Sequence, residues 1–509
     1  MSGLVRTVRA EWTKFRTVRG WMIGLLAAAG LTVGLGLLPG LQGSCGKQGP
    51  GSECRAPVGP DGVEVTDSFS FVNRPLTGDG SVTARVTSLT GRIPTTPDPS
   101  LPDGPMTTRD GLAPWAKAGL IIKATTRPGS AYAAVMATGD RGTRMQHNYL
   151  YDVAGSPGSV ATTGPRWLRL TRAGDTITAA ESRDGLQWTE VGTITLPDLP
   201  DTVYAGLFVT SPQHAEAISG TLGVSGAAGG PTEATATFDR VTVSGGGPNA
   251  PWASTVIGES GSRSAAEAIE SNAEGFRVTG SGDIAPAVAG AAGAGTTVTQ
   301  TLVGTFGGLI VVVALGVVFI TTEYRRGLFR TTLSANPRRG QVLAAKSIVI
   351  GGASFVAGVV GAAVVVVLGQ QLLKANGVYV LPATIGTQLR LIVGTGALLA
   401  VAAVLAVGLG VLVRRSAAAV MIAVVFIVFP YLLAMSVLPA GAGGWLLRVA
   451  PAAAFAVQQS TPAYPQVANL YTPASGYFPL VPWAGFAVLC GWATLALVVA
   501  ALVVRRRDA

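Results

Sequence analysis

Few side chains in this sequence have the type and spacing that enzyme chemistry requires. His147 and His214 are the only histidines, and they lie too far apart in the chain to resemble a metal-ligand pair. Neither belongs to a convincing Ser/His/Asp or Cys/His set. Asp79, Asp184 and Asp239 could ligate calcium, but carboxylates beside glycines are more typical of turns. The residues predict no catalytic site and no metal site, although a hydrolase using two carboxylates stays open on sequence alone.

A nucleotide site is also missing from the sequence. The pattern G-x-x-x-x-G-K-[ST], whose backbone amides cradle nucleotide phosphates, does not occur in the chain. We therefore expect no cofactor in this chain and no ATP hydrolysis by it.

The charged residues of greatest interest lie in one short segment, 321–346, with the sequence TTEYRRGLFRTTLSANPRRGQVLAAK. It contains one acidic residue, Glu323, and it is otherwise basic and apolar at intervals. Gly327 and Pro337 divide it into two short pieces that are expected to be helical. Its remaining residues of interest are Arg325, Arg326, Thr331, Leu333 and Lys346.

The elements that must position these residues are mostly membrane spans. Only 13% of the residues are charged, against about 25% in ordinary soluble proteins. Six apolar runs are long enough to cross a bilayer, which takes about 20 residues. They cover 21–38, 302–322, 347–368, 391–413, 417–438 and 483–504. The sequence predicts a membrane α-helical protein with six transmembrane helices, the last five lying within 299–504.

Charge predicts the orientation. Residues 39–298 contain 18 basic and 24 acidic residues, whereas the rest of the chain contains 19 basic and three acidic ones. In the short segments beside the spans, sixteen Lys and Arg residues fall on one side and three, Lys374, Arg390 and Arg448, on the other. Because short cytoplasmic loops are enriched in Lys and Arg, both termini, including the tail 505–509, are expected in the cytoplasm of a multi-pass protein. Residues 1–20 should form an amphipathic helix on the inner membrane surface.

Residues 39–298 are then expected outside the cell, between the first and second spans. Cys45 and Cys54 fall in this part, where oxidation is allowed, and a disulfide between them is predicted; two free thiols are the alternative. Short strand-like runs with turn signals predict an all-β sandwich with a core at about 57–287. The turn Ser182-Arg-Asp-Gly185 indicates one hairpin.

Five stretches of this part resemble the concanavalin A/laminin G-like jelly-roll modules: 67–88, 115–124, 165–192, 203–211 and 236–243. The resemblance covers about 180 residues and implies a jelly-roll. A strand like GFRVTGSGDIA usually comes first in such modules, but here it stands at 275–285, so we expect this late segment to return to the sheet. Trp115, Trp167 and Trp188 could stack on sugars, or could belong to the sandwich core.

The membrane part resembles ABC-2 type (type-2 exporter) ABC transporter permeases of the actinobacterial kind, over about 1–40 and 295–509. The pattern T-x-E-x-x-x-G…T-L…P-x-x…K in 323–346 carries the resemblance. It implies that Glu323, Arg325, Arg326, Gly327, Thr331, Leu333, Pro337 and Lys346 couple the chain to an ATP-binding cassette ATPase subunit, which would hold ATP and Mg²⁺. It also implies a second permease copy, identical or related, and a re-entrant region within 439–482. A plain positive-inside loop is the alternative for 323–346, as a plain loop is for 439–482.

Two other functions remain open at this stage. The chain could be a membrane-anchored extracellular protein that binds carbohydrate or senses a ligand, or an exported enzyme that modifies glycans. A neighbouring ATPase reading frame would favour the permease. No nucleic-acid partner is expected, because the excess of basic residues lies in the membrane part. Neither the transported substrate nor the ligand of the sandwich can be inferred from the sequence.

Overall fold

The computed structural model describes residues 3–42, 56–95, 107–219, 225–245, 250–258, 268–272, 275–290, 295–325, 338–436, 438 and 440–507. The chain begins with two helices, α1 over Gly3–Thr17 and α2 over Arg19–Gln42. The strands follow this second helix, since the basic N-terminal stretch forms a helix of its own. Within the described residues, six helical stretches are long and apolar enough to cross a membrane: Arg19–Pro39, Val298–Tyr324, Gly340–Ala375, Ile385–Val413, Ser416–Met435 and Pro482–Val504.

The helices after the strands are α4 (Val298–Thr301), α5 (Thr305–Arg325), α6 (Arg339–Ala375), α7 (Ile385–Val413), α8 (Ser416–Ser436), α9 (Ala440–Val449) and α10 (Pro482–Arg507). Short 3-10 helices cover Leu302–Gly304, Pro451–Gln458 and Pro473–Ser475. Six apolar spans are thus confirmed as helices, while their orientation stays a prediction.

Helix α7 is the central helix of the bundle. The buried side chains along its length pack against α5, α6, α8 and α10. Its crossing with α6 depends on two glycines, because a methyl group on Gly358 would lie 2.8 Å from the Cα of Gly396. Small residues at such crossings let helix backbones approach closely, which is how apolar helices associate in a membrane.

The region 439–482 contains two short helices in succession. Helix α9 ends at Val449 and a 3-10 helix begins at Pro451. Proline disfavours helical geometry in the residue before it, which accounts for the break. All eight residues of the 3-10 helix are buried.

The described residues between 65 and 286 form a β-sandwich with antiparallel sheets. Its strands are β1 Val65–Asp67, β2 Phe69–Thr77, β3 Gly80–Pro94, β4 Thr108–Asp110, β5 Lys117–Lys123, β6 Tyr132–Thr138, β7 Thr143–His147, β8 Tyr151–Ala154, β9 Arg166–Ala173, β10 Thr176–Ser182, β11 Thr189–Thr195, β12 Thr202–Thr210, β13 His214–Ser219, β14 Ser225–Gly230, β15 Glu233–Gly245, β16 Ala253–Ile257, β17 Ile269–Asn272, β18 Gly275–Gly280 and β19 Ile284–Pro286; a short helix, α3, covers Val160–Thr163.

The two main sheets face each other across an apolar core. One has the order β11-β10-β9-β3-β15-β18-β17, with β4 beside β3, and the other has the order β16-β2-β12-β5-β6-β7-β8. Two further ribbons pair β1 with β19 and β13 with β14. The predicted hairpin joins β10 to β11, and Gly185 in its turn has a φ of 78°, which favours glycine.

The late segment predicted to return to the sandwich does so. Strand β18 pairs with β15, and β19 pairs with β1 at the other end of the domain. Strand β12 alternates between two buried faces: the odd-numbered positions of 203–209 lie in the interior core and Phe208 lies on the opposite face, so nearly all of the strand is buried. The seven-stranded sheet has the interior core on one face and a second apolar cluster on the other, which includes Phe69, Phe71 and Phe208.

Candidate functional site: an ionic cluster beside segment 326–337

A cluster of four charged residues, of which Lys14 is exposed and the other three are largely buried, lies where α1, α5 and α6 meet. Lys346 of α6 is fully buried. Its Nζ donates hydrogen bonds to Glu11 Oε2 and to Glu323 Oε1, each at 2.7 Å. Lys14 Nζ donates to the other oxygen of Glu11 at 2.9 Å and lies 3.9 Å from Glu323 Oε1. We call Glu11, Lys14, Glu323 and Lys346 the ionic cluster.

Aromatic side chains pack around the buried part of the ionic cluster, next to Glu11 and Lys346. Phe15 is fully buried, with Trp12 and Trp21 stacked near it at centroid distances of 6.0 and 6.2 Å. Phe319 meets Phe15 edge-on at 5.6 Å. Its ring also lies 4.7 Å from Lys346 Nζ, within the range of a cation–π contact. The apolar face of α1 therefore holds the helix in place while its charged residues pair.

Pairing compensates for the burial of charge in this cluster. Burial by itself raises the pKa of Glu11, but Lys346 and Lys14 more than offset this, so its pKa lies below the usual value of a glutamate. Glu11 is thus held as a carboxylate. Removing one partner from such a buried pair leaves an uncompensated charge, which is strongly destabilising.

The structure brings together two of the residues singled out from the sequence, Glu323 and Lys346. They lie on either side of segment 326–337 in the sequence, and their side chains are in contact. Arg325 ends α5. Five of the predicted coupling residues lie outside the described residues: Arg326, Gly327, Thr331, Leu333 and Pro337.

Sequence reasoning missed the role of Glu11. A signal was present, because only three acidic residues stand outside 39–298, and Glu11 and Glu323 are two of them. Rare acidic residues in a strongly basic membrane part are candidates for a specific buried partner. The sequence of α1 has an apolar stripe formed by Val5, Val8, Trp12 and Phe15. This stripe predicts the apolar face of the helix but does not indicate which of its charged residues is buried.

A further basic residue lies near the same end of the bundle. Arg414 ends α7 in the left-handed conformation, with a φ of 59°. Its guanidinium carbon is 5.2 Å from the centroid of the Tyr324 ring, next to Glu323 in the sequence. Tyr324 and Arg414, which belong to the two segments expected on the cytoplasmic side, are therefore in contact.

The tryptophans of the sandwich offer little free ring surface. Trp115 is 5% exposed. The partly buried ring of Trp188 has the guanidinium of Arg169 over it, 3.8 Å from the centroid. One side of the Trp167 ring is covered by the Gly185 turn, where an added methyl group would lie 2.8 Å from a ring atom. Sugar contact by these residues stays a prediction, and the packing favours structural roles for them.

The other candidate groups of the sandwich have partners within the fold. Asp184 Oδ1 accepts backbone N–H bonds from Leu186 and Gln187. Asp79 accepts from the backbone N–H of Gly174, and Asp239 pairs with Arg85. Among the described residues, no group of three His, Cys, Asp or Glu is placed to hold a metal ion. Cys45 and Cys54, the predicted disulfide, lie outside the described residues.

Two lysines at the ends of β5 form buried ion pairs. Lys123 Nζ donates to Asp67 Oδ2 at 2.8 Å and to the Tyr149 hydroxyl at 3.0 Å. Lys117 Nζ donates to Asp283 Oδ1 at 2.6 Å. Burial lowers the pKa of Lys123, an effect that the neighbouring Asp67 carboxylate opposes. These pairs join β5 to β1 and to the residue just before β19, and none of the four side chains is more than 10% exposed.

The sandwich rests on the helical part through a segment between the 3-10 helix Pro451–Gln458 and α10. Gln466 Nε2 donates to the Leu150 carbonyl at 2.9 Å, and Asn469 Nδ2 donates to the Ala289 carbonyl at 2.8 Å. Val467 packs against Ala285 and Val288. This segment, 459–478, therefore joins the sandwich to the end of the bundle opposite the ionic cluster.

Comparisons with known proteins do not name a family. No family model and no curated protein matches the chain. Among solved structures, a functionally unknown protein from Saccharomyces cerevisiae is 12% identical over 38% of this chain and 84% of its own, with a TM-score of 0.20. Scytalido-glutamic peptidase with a peptide based transition state analog is 10% identical over 42% of this chain and 98% of its own, with a TM-score of 0.18. Neither likeness bears on function.

Proposed function

We propose that the chain is the transmembrane permease subunit of an ATP-binding cassette exporter in the plasma membrane. A separate ATPase subunit would supply ATP and Mg²⁺, and a second permease copy would complete the pathway. In this proposal both termini are cytoplasmic and the jelly-roll sandwich, inserted after the first span, is extracellular. The six apolar helices and the sequence pattern of 323–346 support this function.

The observation that carries the proposal is the position of Lys346. It pairs with Glu323, which precedes segment 326–337 in the sequence, and with Glu11 of α1. These pairs link α1, α5 and α6, so a partner that acts on the basic segment between α5 and α6 would act on three linked helices. A loop that served only to orient the spans would need its charges but not this buried anchor.

The sandwich has a supporting role in this proposal. Its contacts with segment 459–478 place it at the other end of the bundle from the ionic cluster. A glycan- or partner-binding sandwich on an anchor is the alternative function. In that case the ionic cluster would stabilise the anchor without transmitting anything.

The test is reconstitution of the full chain in proteoliposomes with a candidate ATP-binding cassette ATPase. We expect the chain to stimulate ATP hydrolysis, and the double variant R325A/R326A to reduce that stimulation several-fold, because it removes charge from the proposed docking segment. Lys374→Ala, an exposed lysine at the other end of α6, is the matched control and should behave as wild type. Full stimulation by R325A/R326A would contradict the docking role. Reduced stimulation supports it when the variant melts like wild type.

Cross-linking would test where the ATPase binds on the chain. Cysteine at Thr331 should cross-link to a cysteine in the helix-binding groove of the ATPase, whereas cysteine at Lys374 should not. A sensor with no ATPase partner would give neither cross-links nor stimulation.

A further inference from the structure

A cavity opens between the helices at the end nearest the sandwich. It encloses about 550 Å³ and is lined by the ends of α2, α6 and α8, by α4 and the 3-10 helix Pro451–Gln458, and by residues just before α10. Ligand cavities in proteins commonly measure about 300–1,000 Å³. None of the described residues that line it is charged, so a charged group would find no counter-ion there.

One wall of the cavity is aromatic. Phe306 and Phe455 stack with their centroids 4.5 Å apart, and Tyr431 packs against both, at 4.8 and 5.3 Å. These rings offer a continuous apolar surface to a hydrocarbon chain.

One polar side chain stands out in the lining. Gln458 is 4% exposed, and its Nε2 donates to Thr305 Oγ1 and to Thr395 Oγ1, both at 3.0 Å. With both amide hydrogens engaged, Oε1 is left as an acceptor, and no described residue donates to it. A ligand in the cavity therefore meets a fixed hydrogen-bond acceptor.

The cavity is open on its lipid-facing side. Two of its lining residues, Val303 and Leu432, are 47% and 51% exposed. Both belong to stretches apolar enough to span a membrane, so the opening faces hydrocarbon when these helices lie in a bilayer. Entry from the bilayer, without passage through water, suits an apolar molecule.

We propose that this cavity binds an uncharged single-chain lipid that carries a hydroxyl group. The hydroxyl donates to Gln458 Oε1, the chain lies along Phe306, Tyr431 and Phe455, and the molecule enters between Val303 and Leu432. A phospholipid is excluded as the occupant by its charged head group, for which the described lining has no partner. The site does not depend on the proposed coupling to an ATPase.

The test uses the full chain in phosphatidylcholine nanodiscs with a photoactivatable monoacylglycerol as the probe. After illumination, mass spectrometry should find label in peptides that contain Phe306, Tyr431 and Phe455. Val303→Trp narrows the opening and should lower this labelling by about tenfold. Val498→Trp, on the exposed face of α10 and outside the cavity, is the matched control and should leave it unchanged.

A second variant tests the polar contact. Gln458→Leu should remove the preference for monoacylglycerol over a photoactivatable alkane, while a melting profile like wild type shows that the bundle persists. Labelling that is uniform over all lipid-facing peptides, or that Val303→Trp does not lower, would overturn the proposal. Equal labelling by a photoactivatable phosphatidylcholine would also overturn it, because the cavity would then select no class of lipid.

Discussion

Glu11 and Lys346 stand 335 positions apart in the sequence, yet Lys346 Nζ lies 2.7 Å from Glu11 Oε2 with both side chains buried. This contact holds the N-terminal helix against the third span. In the sequence, the whole sandwich lies between the two residues. A third group, Glu323, shares the same ammonium. The amphipathic helix is thus part of the bundle as well as suited to a membrane surface, and its sequence position gives no hint of that contact.

Removal of Lys346 should destabilise the helical bundle. In Lys346→Met the carboxylates of Glu11 and Glu323 lose their shared cation inside a largely apolar site. Breaking a buried pair in this way costs about 3–5 kcal/mol. We expect a clearly lower melting temperature of the purified protein, measured by tryptophan fluorescence.

Lys374→Met provides the matched control, because Lys374 lies on the same helix but is exposed. Its melting temperature should stay close to that of wild type, since exposed charges contribute little. Similar melting temperatures for the two variants would show that the ionic cluster adds nothing to stability.

The pH dependence of stability should reveal the contribution of the Glu11 carboxylate. Its folded pKa lies below the ordinary value of 4.5, so its pairing stabilises the fold fully above that value and is lost as the pH falls through the folded pKa. We therefore expect wild type to lose stability as the pH falls below about 4.5. Glu11→Gln should be less stable at neutral pH and should lose less on acidification; parallel pH profiles for the two proteins would argue against the assignment.

The sequence predicted the helices well because membrane spans are a matter of length and composition. Apolar runs of about 20 residues have few alternatives in a bilayer. The sequence also predicted Glu323 and Lys346 as members of one segment. It could not predict that Glu11 joins them, since long-range pairing depends on how α1 packs, which no local pattern encodes.

In the sandwich, too, some features could be predicted from the sequence and others could not. Turn chemistry predicted the hairpin at 182–185, because Asp-Gly suits a tight turn. Strand β12 has no polar side, because apolar clusters cover both faces of its sheet. The packing around Trp167 and Trp188 could not be foreseen either, because Gly185 and Arg169 reach those rings through tertiary contacts.

The buried pair of Lys123 and Asp67 offers a test of the sandwich within the full chain. Lys123→Met leaves Asp67 charged in a site where both side chains are fully buried, so unfolding should become easier by about 3–5 kcal/mol. The double variant K123M/D67L removes both charges and should recover much of the loss, because the Tyr149 hydroxyl can still donate to the Ser130 carbonyl.

Protease resistance and chemical unfolding would measure these effects. Arg141→Met is the control, since its ion pair with Asp140 is exposed and should contribute little. A double variant as unstable as K123M alone would mean that the pair is not the cause of the loss.

The boundary of the sandwich can be tested with two excised fragments, 57–246 and 57–287. The shorter one lacks β16, β17, β18 and β19, which leaves β15 and β2 with unpaired edges. It also leaves Lys117 buried without Asp283. Unpaired strand edges promote association, and an unpaired buried charge is destabilising, so this fragment should aggregate or unfold readily.

The longer fragment keeps the antiparallel partners of both strands and the salt bridge from Lys117 to Asp283. It should be monomeric by size-exclusion chromatography and should unfold in one cooperative transition. Neither fragment contains segment 459–478, so the contact of Gln466 with Leu150 is lost from both. Ala285, which packs against Val467 in the full chain, is present only in the longer fragment, so the loss of this segment works against that fragment and not in its favour. Equal stability of the two would show that 247–287 is a linker to the helices, and that its pairing with β15 and β1 contributes no net stability to the sandwich.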